Sequence, residues 1–232
     1  MPKNFSAPIL SRKEIAAKTF EVRFGTQGAD FSFLAGQFVN IRLQDLVAPD
    51  YRAGIRSFSI ASAPSSAAEY ISIIFRESSS GFKQTLLSVP IGTSAHVMGP
   101  LGHFFLPPNS ARPVVLVAGG IGVAPFLSII RDACEKKLER DITLLYRNSR
   151  AESAVYLDEL VNIQRINPRF HCRHVLHRFD KERLLDAIKD PWLADWYVCG
   201  PSGMVVHSQE LLGELGVDPR AIRQEIFTGC LE

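Results

Sequence analysis

One short stretch combines an arginine, an aromatic ring and small hydroxyl side chains, in the order Arg56-Ser57-Phe58-Ser59. Apolar and small residues alternate from here to Ile60, which is the period of a half-buried β-strand. We expect such a strand to present the cation, the flat ring and the hydroxyls along one side. Those groups suit a ligand with an anionic pyrophosphate, a planar ring and a nitrogen on the ring edge. The alternative is a barrel strand whose arginine has no special role.

A second candidate anion site lies in the segment from Gly81 to Leu87, which predicts the start of a short helix. This segment also contains Lys83, Gln84 and Thr85. The first N–H groups of a helix have no partner within the helix, so they can bind a phosphate, and a lysine adds positive charge. The alternative is an ordinary capping turn with a solvated lysine.

A glycine-rich loop, Gly119-Gly120-Ile121-Gly122-Val123-Ala124-Pro125, follows a continuous apolar run and precedes a helical pattern. Glycines between a buried strand and a helix let the backbone approach a pyrophosphate, and the helix N-terminus then faces that anion. Pro125 suits the first helical turn, but it stands where the dinucleotide fingerprint has its third glycine. The loop therefore predicts a variant nucleotide site. The alternative is that the glycines only turn the chain.

A later strand pattern ends in Cys199-Gly200-Pro201, and Met204 follows three residues after Pro201. The carboxyl ends of parallel strands meet at the edge where open α/β sheets bind ligands. We therefore expect these four residues at the same edge as the glycine-rich loop. The alternative for Cys199 is a buried side chain that only fills space, as free cysteines often do.

The composition of the 232 residues argues against several classes of function. A net charge of +2 gives no sign of a nucleic-acid-binding surface. No apolar run is long enough to span a membrane, and the chain does not open with the apolar core of a signal peptide. The four cysteines form no C-x-x-C pair, so we expect no metal site. A reducing, cytoplasmic location is the expectation for such cysteines.

Two different sequence patterns meet between residues 108 and 109. Residues 1–108 contain short alternating runs separated by turn residues, which favours an antiparallel β-barrel. Residues 109–232 alternate strand-like and helix-like runs, which predicts a doubly wound parallel sheet of five strands. The segment 107–110 has the composition of a linker between two domains.

Four motifs occur in a fixed order along the chain: Arg56-Ser57-Phe58-Ser59, the glycine-rich loop, Cys199-Gly200-Pro201 and Glu225-Ile226-Phe227. Together they resemble the ferredoxin–NADP reductase superfamily, in particular the short bacterial FAD-binding NAD(P)H oxidoreductases and flavin reductases. The resemblance covers nearly the whole chain. It implies an FAD-binding β-barrel in residues 1–108 and an NAD(P)-binding α/β domain in residues 109–232.

The resemblance also implies roles for residues of the first domain. Arg56 is expected to neutralise the FAD pyrophosphate, Phe58 to pack on the isoalloxazine ring, and Ser59 to lie near flavin N5. Main-chain groups of Ile74 and Arg76 are expected to contact the flavin. The segment from Gly81 matches a second phosphate-binding stretch, although Gln84 and Thr85 stand where relatives have a serine or threonine.

In the second domain, the resemblance implies that Glu225 and Phe227 approach the other face of the flavin. Ser59, Cys199 and Glu225 would then surround the point where the nicotinamide meets N5, and they are our candidate catalytic residues. Many short relatives end in Phe-Thr-Gly followed by an aromatic residue, whereas Cys230 follows Thr228-Gly229 here.

The function implied is transfer of a hydride from NAD(P)H to FAD, followed by delivery of electrons to a separate ferredoxin, flavodoxin or oxygenase component. Two alternatives remain open at this point. The first is a flavin reductase that releases reduced free flavin, and the second is a non-catalytic electron-transfer or nucleotide-sensing subunit of a larger complex.

The residues at two strand ends favour NADPH over NADH as the coenzyme. The second strand of the predicted parallel sheet ends in Arg147, with no carboxylate to hold a ribose hydroxyl, and Arg150 follows closely. The third strand ends in His177-Arg178, near the place where NADPH-using relatives carry a Ser-Arg pair. Arginines attract a 2′-phosphate, whereas a carboxylate would repel it. The alternative is that these arginines are solvated surface residues.

Overall fold

The computed structural model describes residues 1–49, 54–108 and 110–227, so the tail residues Thr228, Gly229 and Cys230 lie outside the described part. The chain divides into two compact units. The first consists of Met1–Phe105 together with Ala124–Asp132, and the second of Leu106–Val123 and the described residues from Ala133 onwards. The domain boundary between residues 108 and 109 stays a prediction.

Within the described residues, the first unit is built on a six-stranded antiparallel sheet with the strand order β4-β3-β6-β1-β2-β5. Its elements are β1 (Lys3–Ala16), β2 (Thr19–Gly25), β3 (Phe38–Arg42), β4 (Ile55–Ser59), β5 (Tyr70–Arg76), the helix α1 (Gly81–Ser88) and β6 (Ser94–Leu101).

The sheet closes because its two edge strands approach each other just beyond the end of β4. The N–H of Ala61 donates to the carbonyl oxygen of Ser72 at 2.8 Å, and the N–H of Ser72 donates to the Ser62 hydroxyl at 3.2 Å. Side chains on the inner face, such as Val22, Ile41 and Val97, are fully buried in one core. The antiparallel barrel predicted from the sequence is confirmed.

The sequence pattern does not indicate the long first strand, β1. Only Ala7 and Ile9 of β1 are fully buried, and Pro8 lies between them. A proline and a charged stretch both argue against a strand in a sequence pattern. The structure accommodates them because β1 pairs with β6 over its first half and with β2 over its second half.

Within the described residues, the second unit contains a five-stranded parallel sheet with the order β11-β10-β7-β8-β9. Its elements are β7 (Val114–Gly119), β8 (Ile142–Arg147), α3 (Leu157–Ile166), β9 (Phe170–Val175), α4 (Lys181–Ala187), β10 (Asp195–Gly200), α5 (Ser202–Glu214) and β11 (Ile222–Ile226). The helix α2 (Ala124–Glu135) follows β7 in the chain, but most of it belongs to the first unit. The predicted doubly wound sheet is confirmed. The strand order reverses between β7 and β10, where such sheets bind ligands.

The start of α2 packs within the first unit, although α2 follows β7 directly in the chain. The Ser128 hydroxyl donates to the carbonyl oxygen of Ser62, and Nη1 of Arg131 donates to that of Ala61, both at 2.7 Å. The first unit is therefore assembled from two separate segments of the chain. No helix among the described residues combines the length and the apolar character required to cross a membrane.

A buried ion pair joins the beginnings of the parallel strands. Nη2 of Arg140, just before β8, donates to Oδ2 of Asp195, the first residue of β10, at 2.6 Å. The Arg140 side chain is only 3% exposed, and Nε of Arg112 donates to the other carboxylate oxygen at 3.1 Å. Asp195 therefore neutralises a guanidinium that water cannot reach.

We predict that Asp195→Ala lowers the free energy of unfolding by about 3–5 kcal/mol, because it leaves the buried Arg140 charge without an opposite charge beside it. Urea denaturation measures the change. Asp141→Ala is the matched control, since Asp141 forms an exposed pair with Arg169 at 3.0 Å. The control is expected to cost at most about 1 kcal/mol. Equal, small effects of both substitutions would contradict a dominant role for burial.

Candidate functional site

Arg56 is held at the N-terminus of α1. Its Nη1 donates to the carbonyl oxygen of Ile55 at 2.9 Å and its Nη2 to the hydroxyl of Ser80 at 3.4 Å. Its guanidinium carbon lies 5.7 Å from the centre of the Phe82 ring. Because Ser80 immediately precedes the first residue of α1, the guanidinium and the first turn of the helix face the same space. A cation beside a helix N-terminus is a site for an anion.

The first turn of α1 is formed without side-chain capping by Ser80. A side chain at Gly81 would bring a Cβ atom within 2.4 Å of the carbonyl oxygen of Ala48, so only glycine fits there. Lys83 is half-buried in the same turn. A serine directly before a predicted helix start is an N-cap signal, and it could have identified Ser80 from the sequence.

Gln84 and Thr85 make internal hydrogen bonds. Nε2 of Gln84 donates to the carbonyl oxygen of Ser78 at 2.7 Å. The fully buried Thr85 hydroxyl donates to the carbonyl oxygen of Gly81 at 2.8 Å and accepts from the N–H of Val47 at 2.9 Å. The structure therefore gives Thr85 a structural role and does not present its hydroxyl to a ligand.

Phe58 is a half-buried ring at the border of the barrel core. Its ring centre lies 5.7 Å from that of Phe82 and 6.3 Å from that of Phe75. Arg56 and Phe58 share one face of β4, as alternation along a strand requires. Ser57 faces the other way, where its hydroxyl donates to Oδ1 of Asn40 at 2.6 Å. Our expectation that the hydroxyls lie on the same side as the cation and the ring is therefore wrong. By the same alternation the buried Ser59 faces away from Arg56 and Phe58.

Main-chain groups of β5 face the open edge of the barrel. The N–H and carbonyl of Ser72 point away from β2, since both bond to the segment after β4. Main-chain groups alternate in direction along an antiparallel strand, so those of Ile74 and Arg76 point the same way as those of Ser72. The main-chain groups of Ile74 and Arg76 lie beyond the contact at Ser72 that closes the barrel, so a planar ligand could form hydrogen bonds with them.

In the second unit, the glycine-rich loop packs backbone to backbone against the turn after β10. A Cβ atom at Gly122 would lie 2.2 Å from the carbonyl oxygen of Cys199, and one at Gly119 would lie 2.4 Å from Sδ of Met204. Gly200 meets the main chain of Gly119 from the other side. Gly122 is therefore required by main-chain contact between the two loops, whereas at Gly119 the flexible Met204 side chain could move; both loops lie at the carboxyl edge of the sheet.

Gly120 differs from its neighbours because nothing lies within 4 Å of its possible Cβ position and its φ is +54°. The chain at Gly120 adopts a left-handed conformation that favours glycine. Pro125 is buried in the first turn of α2, and Pro201 immediately precedes α5. The start of α5 lies at this edge beside the glycine-rich loop, and a helix N-terminus next to such a loop is an arrangement that binds phosphate groups.

Cys199 and Glu225 occupy adjacent register positions on the parallel strands β10 and β11. Cys199 is fully buried, and the N–H of Phe227 donates to the carbonyl oxygen of Gly200 at 3.0 Å. Burial raises the pKa of the Glu225 carboxyl from its ordinary value of 4.5 to about 7. The structure therefore places a thiol beside a carboxyl that holds its proton up to neutral pH.

Arg147 and Arg178 come together where β8 and β9 end. Nε of Arg147 donates to the carbonyl oxygen of His177 at 3.2 Å, and Arg178 is exposed. Arg150 is exposed in the loop that follows β8. We call Arg147, Arg150 and Arg178 the cationic edge; it lies at the ends of β8 and β9, and β8 is next to the strand that leads into the glycine-rich loop.

Two family descriptions match the chain in sequence. "Oxidoreductase FAD-binding domain" matches residues 6–106, and "Oxidoreductase NAD-binding domain" matches residues 116–210. The chain is therefore an oxidoreductase with an FAD-binding and an NAD-binding domain. It belongs to these two oxidoreductase domain families, which agrees with the resemblance to the ferredoxin–NADP reductase superfamily that the motifs show.

Several sequence relatives are longer proteins. Reductase component 2 of terephthalate 1,2-dioxygenase from Comamonas sp. is 31% identical over 162 residues, which cover 69% of this chain and 46% of the relative. A flavohemoprotein of Bacillus subtilis is 24% identical over 215 residues, which cover 84% and 51%. The chain thus spans about half the length of these relatives.

Solved structures share the fold at low identity. The FAD/NAD-binding domain of nitric oxide dioxygenase from Vibrio cholerae has a TM-score of 0.83 at 21% identity, covering 97% of this chain and 99% of that one. An Amycolatopsis cytochrome P450 reductase has a TM-score of 0.84 at 24% identity, covering 97% and 70%.

We predict that Glu225→Gln removes a pH dependence of stability. With a raised pKa in the folded state, Glu225 favours folding most below pH 4.5, and this contribution is lost as the pH rises towards 7. The unfolding free energy of Glu225→Gln minus that of the wild type should therefore grow by about 3 kcal/mol between these limits. Urea denaturation across pH 4.5–8 measures it. Glu210→Gln, at an exposed position on α5, is the control. A difference that stays constant with pH would refute the raised pKa.

Proposed function

We propose that this chain is an FAD-dependent NAD(P)H oxidoreductase that passes electrons to a separate protein, such as a ferredoxin, a flavodoxin or an oxygenase component. The matched FAD- and NAD-binding descriptions support the two cofactor sites. The named activities of relatives support the acceptor, since they include reductase components of dioxygenases and the electron transfer component of toluate 1,2-dioxygenase from Pseudomonas putida. Cytoplasmic location stays a prediction.

The observation that carries the proposal is the position of Arg56 beside the N-terminus of α1. This arrangement fits the pyrophosphate of FAD, because the guanidinium and the first N–H groups of the helix face one space. Phe58 and the main-chain edge of Ile74 and Arg76 fit a planar ring. When bound, FAD supplies a two-electron acceptor for the hydride of NAD(P)H and can pass electrons on singly or together.

The residues of the second unit fit the task of placing the coenzyme. The glycine-rich loop and the start of α5 would bind the pyrophosphate, as the position of Gly120 allows. We assign Cys199 to orienting the nicotinamide, because hydride transfer requires no thiolate attack. Glu225 can hold a proton at its carboxyl near neutral pH, which suits a proton donor to a reduced cofactor. Ser59 completes our set of candidate catalytic residues.

We further propose that NADPH is preferred over NADH. The end of β8 carries no carboxylate that would hold the ribose 2′-hydroxyl of NADH. Instead, the cationic edge of Arg147, Arg150 and Arg178 surrounds the strand ends at which the adenosine ribose of a dinucleotide lies in doubly wound sheets.

We predict that Arg56→Ala weakens FAD binding about ten- to a hundredfold, because a charge-assisted contact to phosphate contributes about 1.5–3 kcal/mol. Flavin absorbance of the purified protein after gel filtration measures retention. Arg42→Ala is the matched control, since Arg42 is exposed on the neighbouring strand β3. A wild type that loses flavin on the column would favour a flavin reductase, and an Arg56→Ala protein with full flavin content would refute the assignment.

We predict that Arg178→Ala lowers the ratio of kcat/KM for NADPH to kcat/KM for NADH by about tenfold, because it removes one cation from the 2′-phosphate. Steady-state reduction of ferricyanide with each coenzyme gives the ratio. Arg165→Ala, at an exposed position on α3, should leave the ratio unchanged. A wild type that uses NADH better would sink this part of the proposal.

A further inference from the structure

A buried amide, Asn148, lies at the start of the loop that joins β8 to α3. Only 2% of its surface is exposed, although it directly follows Arg147 at the sheet edge. Its Nδ2 donates to the carbonyl oxygen of Ser153 at 2.9 Å, and its Oδ1 lies 3.1 Å from Nε2 of His174 on β9. One side chain therefore connects the beginning of the loop, its end and the neighbouring strand.

The hydrogen bonds around Asn148 fix which ring nitrogen of His174 carries the proton. Since the Nδ2 group of Asn148 donates to Ser153, its Oδ1 must face His174 as an acceptor. The imidazole must then donate from Nε2. Burial lowers the pKa of His174 and so favours the neutral ring. His174 also packs on Tyr146, with ring centres 5.6 Å apart.

Tyr146 anchors the far end of the same loop. The N–H of Val155 donates to the Tyr146 hydroxyl at 2.9 Å, and both residues are buried. The N–H of Asn148 donates in turn to the carbonyl oxygen of Val175 at 3.1 Å. Both ends of the loop are thus attached to β8 and β9 by buried groups, whereas Ser149 and Arg150 between them are exposed.

The attached loop includes or adjoins the whole cationic edge. Arg147 precedes Asn148 directly, and Arg150 lies two residues after it. Arg178 belongs to the segment after β9, to which Arg147 is joined through the carbonyl oxygen of His177. The Asn148–His174 bond links these two segments below the surface, in addition to the main-chain bond from Asn148 to Val175. It is the side-chain bond that supports the placement of the arginines, and none of them makes it.

We propose that Asn148 and His174 are positioning residues that determine selectivity for a 2′-phosphate, by holding the cationic edge in its binding arrangement before the coenzyme arrives. This proposal rests on the preference for NADPH proposed above. Preorganised groups bind more tightly because the cost of ordering them is not deducted from the binding free energy. Loss of the Asn148–His174 bond should therefore weaken the binding of a ligand that has a 2′-phosphate. The binding of an analogue without that phosphate should stay nearly the same.

The test compares binding of 2′,5′-ADP and 5′-AMP to the full-length, FAD-loaded protein by calorimetry. These probes differ at the 2′-phosphate and have no nicotinamide. His174→Phe keeps a ring against Tyr146 but removes the donor, and His174→Gln restores a donor. Asn148→Ala removes the amide itself. His171→Phe, at an exposed position on the same strand, is the matched control, and Arg178→Ala reports on the phosphate contact.

We expect the wild type to bind 2′,5′-ADP more tightly than 5′-AMP, and His174→Phe and Asn148→Ala to lower this preference about tenfold. His174→Gln should recover most of it, and His171→Phe should match the wild type. A preference that His174→Phe leaves intact, or equal weakening of both probes, would overturn the positioning role while Arg178→Ala still tests the phosphate site. A wild type without any preference for 2′,5′-ADP would instead refute the NADPH assignment, and this inference with it.

Discussion

The second unit depends on the close contact between two loops at the carboxyl edge of its sheet. Gly122 lies so near the carbonyl oxygen of Cys199 that no side chain fits between them. This contact fixes the glycine-rich loop against the turn that begins α5, next to the buried Cys199. The nucleotide edge is therefore shaped by packing within the protein, and the same glycines that permit the packing leave the backbone accessible at Gly120.

In the first unit, too, packing holds the groups that face the ligand, but here the packing involves an aromatic ring and one glycine. Its candidate anion site combines one guanidinium with a helix turn, and both are held by neighbours: the buried Phe82 below Arg56, and the half-buried Ala48 behind Gly81. A cation in such a site costs little to order on binding, because its position is already restricted. In both units, aromatic or glycine packing places the polar groups, and the polar groups then define the chemistry.

Much of this architecture could be predicted from the sequence because its periodicities are local. The apolar run of β7 and the glycines after it identify a strand, a turn and a helix within a dozen residues. What could not be predicted depends on distant partners. The hydroxyl of Thr85 accepts a hydrogen bond from the N–H of Val47, 38 residues away, and the buried Asn148 is bonded to His174 on another strand. The opposite facing of Ser57 and Arg56, by contrast, follows from strand alternation alone and can be predicted from the sequence.

The two-segment construction of the first unit has a consequence for how such proteins can be recombined. Ser128 and Arg131 bond to Ser62 and Ala61, yet they are encoded after the strand that begins the nucleotide sheet. A gene fusion that exchanged only the N-terminal half would bring a foreign helix to these two carbonyl groups. A working chimaera must therefore have its crossover after residue 132, so that this part of the helix comes from the same parent as the barrel it covers.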